Sequence, residues 1–243
     1  MGKGLVSLLI IIDALYDSEP GSMVVIDEPV LSLHPFFQRR LAAVLSEYGA
    51  SRQIVVATHS PYFADFRALL NGARISRLHL EDRCSVDSTA SESTVRNLAG
   101  LLKDRNNPNV LGLDAREAFF LEDRVILVEG QEDVVLYQRF ADQLGVDIQG
   151  TFFGRGVGGA DKMRAIATLL SELGFNSVVG LLDGDKDSLC NELGSDFPHY
   201  SFHTIPADDI RTKPEVPHRP AVEGLLDVSG RIQGTREDIA YAS

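Results

Sequence analysis

Carboxylate side chains placed directly after apolar runs are the residues whose type and spacing could do chemistry in this chain. Glu129 and Asp133 follow one such run, and Asp183 and Asp185 follow another about fifty residues later. Mg²⁺ and Mn²⁺ prefer oxygen ligands, and two such ions can activate a water and stabilise the leaving oxygen in phosphodiester cleavage. The four acids therefore predict a divalent metal site.

Two short apolar runs must position these acids. Val125–Val128 precedes the first pair and Val178–Leu182 precedes the second. Continuous runs of this kind are typical of strands buried on both faces of a parallel sheet. The second acid of the first pair falls in the first turn of the following helix, so both acids of that pair can point at one ion. Alternate residues at a strand end project the same way, so we expect Asp183 and Asp185 to face the ion together, with Gly184 leaving room for it.

The same alternation of strands and helices extends over the whole chain. Met23–Ile26 and Ile54–Ala57 are two further apolar runs of the strand type. Strands alternating with amphipathic stretches indicate an α/β fold whose parallel strands are joined by right-handed crossovers. The predicted helices are Leu5–Tyr16, Phe36–Tyr48, Asp133–Leu144 and Lys162–Leu173.

A second group of polar residues follows the two N-terminal strands. Asp27 and Glu28 end the first strand, and His59 follows the second. Residues at the carboxyl ends of parallel strands face the ligand crevice of open α/β sheets. Asp27 could then order Mg²⁺ through water, Glu28 could orient a water for attack on a γ-phosphate, and His59 could contact that phosphate.

The order of these residues resembles the C-terminal half of an ABC-type ATPase head, with a Walker B strand, a D-loop and a switch histidine. The amino-acid sequence from Ile26 to Pro35 is similar to that of the OLD (overcoming lysogenization defect) family. The sequence contains no G-x-x-x-x-G-K-[ST] motif to hold phosphates. We therefore expect a fragment, a truncated gene product or a subunit that relies on another chain. We expect ATP to act only if another chain supplies the missing P-loop.

The C-terminal acids resemble the Toprim domain shared by topoisomerases, bacterial primases and OLD-family nucleases, over about residues 122 to 206. By this resemblance Glu129 is the family's glutamate, Asp183 and Asp185 are its metal-binding pair, and Asp133 is the second acid that OLD-like members place four residues on. The resemblance implies a Rossmann-like domain with a central parallel sheet, following a partial ATPase lobe.

A later acid and a later lysine complete the site in OLD-like enzymes. The resemblance offers Asp208 or Asp209 as the acid and Lys213 as the lysine, which would stabilise the pentavalent phosphate. The glycine-rich segment Gly154–Gly159 lies between a strand and a helix, where backbone amides can bind phosphate. Arg155 within it, or Lys162 shortly after it, is a candidate contact to a nucleic-acid backbone.

Composition limits the class of protein. The 243 residues are 44% hydrophobic, carry a net charge of −12, and include two cysteines far apart. A protein that binds nucleic acid by neutralising many phosphates usually carries a net positive charge. Carboxylates that hold Mg²⁺ nevertheless present a positive ion to phosphate. The absence of a membrane span, a signal peptide and paired cysteines favours a reduced cytoplasm. We expect an ATPase half over 1–85, a junction over 86–120, a Toprim domain over 121–215 and a C-terminal tail over 216–243.

Together these features predict a metal-dependent endonuclease of the OLD family, acting on DNA in DNA processing or phage defence and assembling as a dimer or with an ATPase partner chain. A non-catalytic, partner-binding remnant of such a protein is the alternative. A Toprim enzyme that rejoins strands would need a nucleophilic tyrosine in a cleavage domain, which the sequence does not indicate. The sequence does not distinguish DNA from RNA as the substrate.

Overall fold

The chain forms two units in the computed structural model, residues 1–73 and 74–243. The structure describes residues 3–64, 68–69, 71–102, 113–121 and 124–233. Residues 103–112 of the expected junction and the last ten residues of the expected tail lie outside the described residues. No helix in the described part of the chain is both long and apolar enough to cross a membrane.

The first unit places two parallel strands against two helices. Strand β1 pairs with β2 along its whole length, with Asp27 opposite Ala57. One face of this pair packs on the helices, through a core that includes Leu15, Ile26 and Leu41. The elements are α1 (Lys3–Asp17), β1 (Met23–Asp27), α2 (Pro35–Tyr48) and β2 (Gln53–Ala57).

The other face of the β1–β2 pair is exposed. Met23, Val25 and Val55 have 60%, 66% and 42% of their surface accessible. The expectation that these strands are buried on both faces is therefore wrong for the described residues of this unit. A continuous β-branched run indicates only that both faces of a strand are apolar. Burial of the second face also requires another layer of structure to cover it.

The second unit begins with a hairpin that the sequence analysis missed. Strand β3 (Ser76–Glu81) pairs antiparallel with β4 (Cys84–Thr89). Asp82 and Arg83 form the two-residue turn, with φ of 47° and 66°. Two positive φ values in a two-residue loop are typical of hairpin turns that match the strand twist. The expected junction was to begin at residue 86, but the pairing makes residues up to Thr89 part of a strand.

A parallel sheet of four strands forms the centre of the second unit, in the order β6-β5-β7-β8. This confirms the predicted α/β fold with a central parallel sheet. Phe153, Phe175 and Met163 are almost fully buried in its core. The strands are β5 (Arg124–Leu127), β6 (Thr151–Phe152), β7 (Ser177–Leu182) and β8 (Ser201–Thr204), and the helices are α3 (Glu92–Leu102), α4 (Leu113–Leu121), α5 (Gln131–Leu144), α6 (Ala160–Glu172) and α7 (Asp187–Asp196).

Two short parallel strands follow the sheet, β9 (Asp209–Arg211) and β10 (Gly224–Leu226). Ile210 and Leu226 pack with Leu136 of α5 in one buried cluster. The segment expected to be a tail from residue 216 therefore contributes a core strand. Its three-residue length explains why no periodic signal marked it.

The start of α3 is held by a carboxylate from the end of α6. Glu172 accepts hydrogen bonds from the Ser91 amide at 2.7 Å, the Ser91 hydroxyl at 2.8 Å and the Thr94 hydroxyl at 2.7 Å. Partial burial acts to raise the pKa of Glu172, but these hydrogen bonds outweigh it and lower the pKa. Ionised Glu172 thus joins two helices of the second unit.

We expect Glu172→Gln to reduce the free energy of unfolding by about 1 kcal/mol at pH 7, because it weakens hydrogen bonds to a charged acceptor. A pKa lowered by folding stabilises the protein above the unfolded value and loses this effect as the pH falls through the folded value. The difference between parent and variant in urea unfolding should therefore shrink below about pH 4.5. The exposed Glu81→Gln is the control, and an equal, pH-independent loss in both variants would contradict the assignment.

Candidate metal centre

A glycine-rich loop fixes the backbone of Glu129 at the end of β5. The carbonyl oxygen of Glu129 accepts hydrogen bonds from the amides of Gly158 at 2.9 Å and Gly159 at 2.8 Å. Gly156 lies against Gly130, and a Cβ on Gly156 would come within 2.7 Å of the Gly130 carbonyl. The loop and the strand end therefore hold each other at this point.

These contacts change the interpretation of the loop as a phosphate-binding turn. The amide of Gly156 donates to the Phe153 carbonyl at 3.2 Å, and the amide of Val157 donates to the Val128 carbonyl at 2.9 Å. With the two amides that bond to Glu129, four consecutive amides are used within the protein. The loop therefore positions the glutamate rather than offering these amides to a ligand.

Glu129 joins the ends of two neighbouring strands. Its Oε1 accepts a hydrogen bond of 3.1 Å from the amide of Asp183, the residue that follows β7. Gly184 comes next, and its amide donates to the Ala207 carbonyl at 2.8 Å. A Cβ on Gly184 would lie 2.4 Å from that oxygen. The space expected beside Gly184 for a metal is therefore filled by the backbone that leads to β9.

Asp133 lies in the first turn of α5, as predicted, but one of its oxygens is turned to the backbone. Its Oδ2 accepts a hydrogen bond of 2.7 Å from the Gly130 amide. Burial, above all, raises the pKa of Asp133 to about 6, and the negative charges of Glu129 and Asp209 add to this effect. The hydrogen bond and Lys213 act in the opposite direction.

Asp183 is the acid most strongly affected by its surroundings. Its pKa is raised to about 7, above all by burial and in addition by the charges of Glu129, Asp209 and Asp133, against the opposing effect of Lys213. Raised carboxylate pKa values mean that the ionised forms repel one another and lack solvation. These acids therefore form one electrostatic group with excess negative charge.

The structure separates the two late acids that the sequence left open. Asp209 is buried, at 8% exposure, and pairs with Lys213, whereas the neighbouring Asp208 is exposed. Asp209 and Lys213 also act on the pKa values of Asp133 and Asp183. The geometry thus brings Asp209 and Lys213 to the carboxylate group and leaves Asp208 at the surface.

Asp185 does not point the same way as Asp183. Strand β7 ends at Leu182, and a 3-10 turn over Gly184–Lys186 rotates the chain. Asp185 is exposed and pairs with Lys186, whose pKa is raised by this hydrogen bond and by the charges of Asp185, Glu129 and Asp183. The expectation of a shared direction fails because alternation holds only within a strand.

Tyr137 is a residue of this region that the sequence analysis did not select. Burial raises its pKa, and the charges of Asp133, Asp183, Glu129 and Asp209 act in the same direction. Its position four residues after Asp133 on one helix was the available signal, since residues at that spacing share a face.

The donor set suits a hard divalent cation by its chemistry. Glu129, Asp133, Asp183 and Asp209 supply carboxylate oxygens, and their excess negative charge is what such a cation would offset. In the described part of the chain, no three acid, histidine or cysteine side chains already stand in a metal-holding arrangement. Side-chain rotation at Asp133 would have to accompany binding if both its oxygens were used.

In the first unit, Glu28 and His59 contact each other at the ends of β1 and β2. The distance from Glu28 Oε1 to His59 Nδ1 is 2.8 Å, and the side chain of His59 is 77% exposed. Asp27 is exposed beside them. Because the two strands are parallel and in register, these three residues share one edge, as the sequence predicted.

Comparisons with known proteins match the two halves separately. Residues 1–65 match a family model described as "AAA domain, putative AbiEii toxin, Type IV TA system". Residues 120–185 match one described as "Overcoming lysogenization defect protein-like, TOPRIM domain". In these two segments the chain is similar to the OLD family of ATPase–Toprim proteins. This confirms the resemblance drawn from the motifs. Glu129, Asp133, Asp183 and Asp185 fall inside the matched Toprim segment, whereas Asp209 and Lys213 fall outside it.

Two curated relatives agree with this similarity. The chain is 35% identical over 131 residues to an OLD nuclease of Thermus scotoductus (strain ATCC 700910 / SA-01), a match covering 51% of this chain and 23% of the relative. It is 25% identical over 156 residues to Endonuclease GajA of Bacillus cereus (strain VD045), covering 63% and 25%. The chain thus spans about a quarter of the length of each relative.

A solved structure shows a weaker likeness. It is described as "Structural biochemistry of ATP-driven dimerization and DNA stimulated activation of SMC ATPases", with 18% identity and a TM-score of 0.31. The match covers 43% of this chain and 63% of that chain. A likeness at this level is too low to support a functional assignment.

We expect Asp183→Asn to stabilise the metal-free protein, because it removes a charge that Glu129, Asp133 and Asp209 repel. At pH 8 with a chelator, the free energy of unfolding should rise by about 1–2 kcal/mol, after allowance for water screening of partly exposed charges. Urea unfolding measures this change. Asp208→Asn, at the exposed neighbouring acid, should change it by less than about 0.5 kcal/mol. A destabilised Asp183→Asn variant would contradict the repulsion.

Gly156→Ala tests the contact that fixes Glu129. The new methyl group would meet the Gly130 carbonyl, and φ at this position is +79°. Gly145→Ala is a matched control, because its φ is +67° and nothing lies within 4 Å of the added Cβ. Both variants carry backbone strain, so Gly156→Ala should lose about 1–3 kcal/mol more stability in urea unfolding. Equal losses would mean that the close approach does not matter.

Proposed function

We propose that the chain hydrolyses phosphodiester bonds in DNA, using a divalent cation held by the carboxylate group at the ends of β5 and β7. The nuclease relatives and the matched Toprim segment support hydrolytic nuclease activity in general terms. The observation that supports the metal dependence is the grouping of Glu129, Asp133, Asp183 and Asp209 around the ends of β5 and β7, where Glu129 contacts the Asp183 amide and the charges of the four acids act on one another.

In this proposal Glu129, Asp183 and Asp133 hold the cation, Mg²⁺ or Mn²⁺, and Asp209 or Asp185 adds an outer oxygen. The cation, when bound, would supply a lowered pKa for an attacking water and would offset charge on the phosphate. Lys213, which pairs with Asp209, would stabilise negative charge that develops on the phosphate oxygens. The loop at Gly156 keeps Glu129 in place.

The proposed activity should depend on Asp183. With Mg²⁺ or Mn²⁺, the parent chain should nick supercoiled plasmid DNA, and Asp183→Asn should reduce the rate by on the order of a hundredfold. Asp208→Asn should retain the parent rate, because Asp208 is exposed and outside the carboxylate group. Unchanged nicking by a folded Asp183→Asn variant would remove this site from the reaction.

We also propose that the first unit does not hydrolyse ATP by itself. In this proposal Asp27, Glu28 and His59 would face a γ-phosphate at the shared edge of β1 and β2, but the sequence has no P-loop to hold that phosphate. ATP would then require a P-loop from another chain, an ATPase partner.

An assay of phosphate release with ATP and Mg²⁺ tests this proposal. The parent chain should release no more phosphate than Glu28→Gln, because neither can position the γ-phosphate. Phosphate release by the purified parent that Glu28→Gln abolishes would overturn the proposal.

The alternative function, a non-catalytic subunit that binds a partner, is favoured by the exposed apolar face of β1 and β2. Thermal stabilisation by Mg²⁺ distinguishes the two functions, because an intact cation site binds the folded state selectively. A rise in melting temperature with Mg²⁺ that Asp183→Asn abolishes would favour the nuclease, and no rise in the parent would favour the non-catalytic subunit.

A further inference from the structure

A groove runs along the side of α5 that faces the edge strand β6. One wall is a helical stripe made by Gln131, Val134, Val135 and Gln138, at spacings of three and four residues. The end of the groove at Gln131 and Arg155 flanks the close contact between Gly130 and Gly156, at the end of β5 where Glu129 lies. The other wall is formed by the edge strand β6 and its flanks, and its lining residues are Ile148, Gly150, Thr151, Phe152, Gly154 and Arg155.

The lining of this groove combines apolar surface with polar ends. Val135 is 52% exposed, and Phe152 and Ile148 are partly exposed opposite it. An aromatic ring with aliphatic neighbours provides a platform on which any nucleobase can stack. Gln131 and Gln138 place amide donors and acceptors along the same wall, and such amides can bond to base edges.

The volume and charge of the groove suit one nucleotide. Its volume is about 500 Å³, within the range of small-ligand sites. Arg155 is exposed at the groove, where its guanidinium can reach a phosphate. The chain carries a net charge of −12, so phosphate neutralisation alone would contribute little to binding. Contacts to a base would then have to supply affinity that a basic surface supplies elsewhere.

We propose that this groove binds one unpaired nucleotide of the strand being cut, with its base between Val135 and Phe152 and its phosphate toward Arg155. This inference rests on the proposed nuclease function and adds a substrate class to it, a strand that is single-stranded next to the scissile bond. A fully paired duplex keeps its bases stacked, so its bases would not enter the groove.

Binding can be measured separately from cleavage in the Asp183→Asn background. Fluorescence anisotropy with a labelled 12-nucleotide single strand, with and without abasic positions at its centre, reports the contribution of the bases. The double substitution Val135→Ser and Gln138→Ala should weaken binding of the intact strand by about tenfold. It should leave binding of the abasic strand unchanged, because no base is present to lose. Val146→Ser is the matched control, since Val146 is 57% exposed and does not line the groove.

Two outcomes would overturn the proposal. An unchanged affinity for the intact strand would show that the groove holds no base. An equal loss on the abasic strand or on a closed, fully paired hairpin would indicate a duplex or backbone occupant instead. Plasmid nicking by the parent chain is measured separately. If the parent nicks DNA but the groove substitutions do not weaken strand binding, only this inference is contradicted. If the parent does not nick DNA, the proposed function is contradicted.

Discussion

Repulsion among carboxylates at one edge of a parallel sheet is the interaction on which the rest of the second unit depends. Glu129, Asp133, Asp183 and Asp209 come from three separate stretches of chain, and their mutual charge opposes folding unless it is compensated. Backbone contacts from the surrounding structure hold these acids in place against the repulsion. The glycine loop bonds to the Glu129 carbonyl, and the Ala207 carbonyl accepts from Gly184. Lys213 offsets part of the charge beside Asp209.

The two units differ in how complete their sites are. In the second unit, the carboxylates and a lysine lie on the side of α5 that faces β9, and the groove lies on the side of α5 that faces β6. In the first unit, Glu28 and His59 share a strand edge and hold each other by a hydrogen bond, while the opposite sheet face is exposed. Phosphate chemistry needs both a group that acts and a cradle that holds the phosphate, and the described residues of the first unit supply only the former. The two sites are therefore expected to respond differently to ATP and to a metal.

Sequence patterns predicted most of the fold and part of the candidate site. The apolar runs before Asp27, Glu129 and Asp183 gave the strands, because continuous β-branched runs have few other stable arrangements. The hairpin at Asp82 was missed, because Ser and Thr favour both strands and loops and only long-range pairing decides between them. The choice of Asp209 over Asp208 depended on which side chain β9 turns inward. That direction is fixed by the packing of Ile210 on α5, which no local pattern reveals.

Glycine positions show a similar limit. The glycines in the sequence suggested room for ligands at the site. The space beside Gly156 and Gly184 is instead occupied by backbone from elsewhere in the chain. A glycine permits close approach without indicating what approaches it. The carboxylates of the candidate site were therefore identified from residue type and order, whereas the backbone contacts that position them became evident only from the fold.

Binding of Mn²⁺ by the metal-free chain tests the carboxylate site most directly, since the ion reports its own occupancy by electron paramagnetic resonance. We predict that the parent chain removes the free Mn²⁺ signal on titration. Glu129→Gln, which preserves the acceptor for the Asp183 amide, should bind at least about tenfold more weakly. Equal binding by the two proteins, or no binding by the parent chain, would contradict the assignment of these acids to a divalent cation.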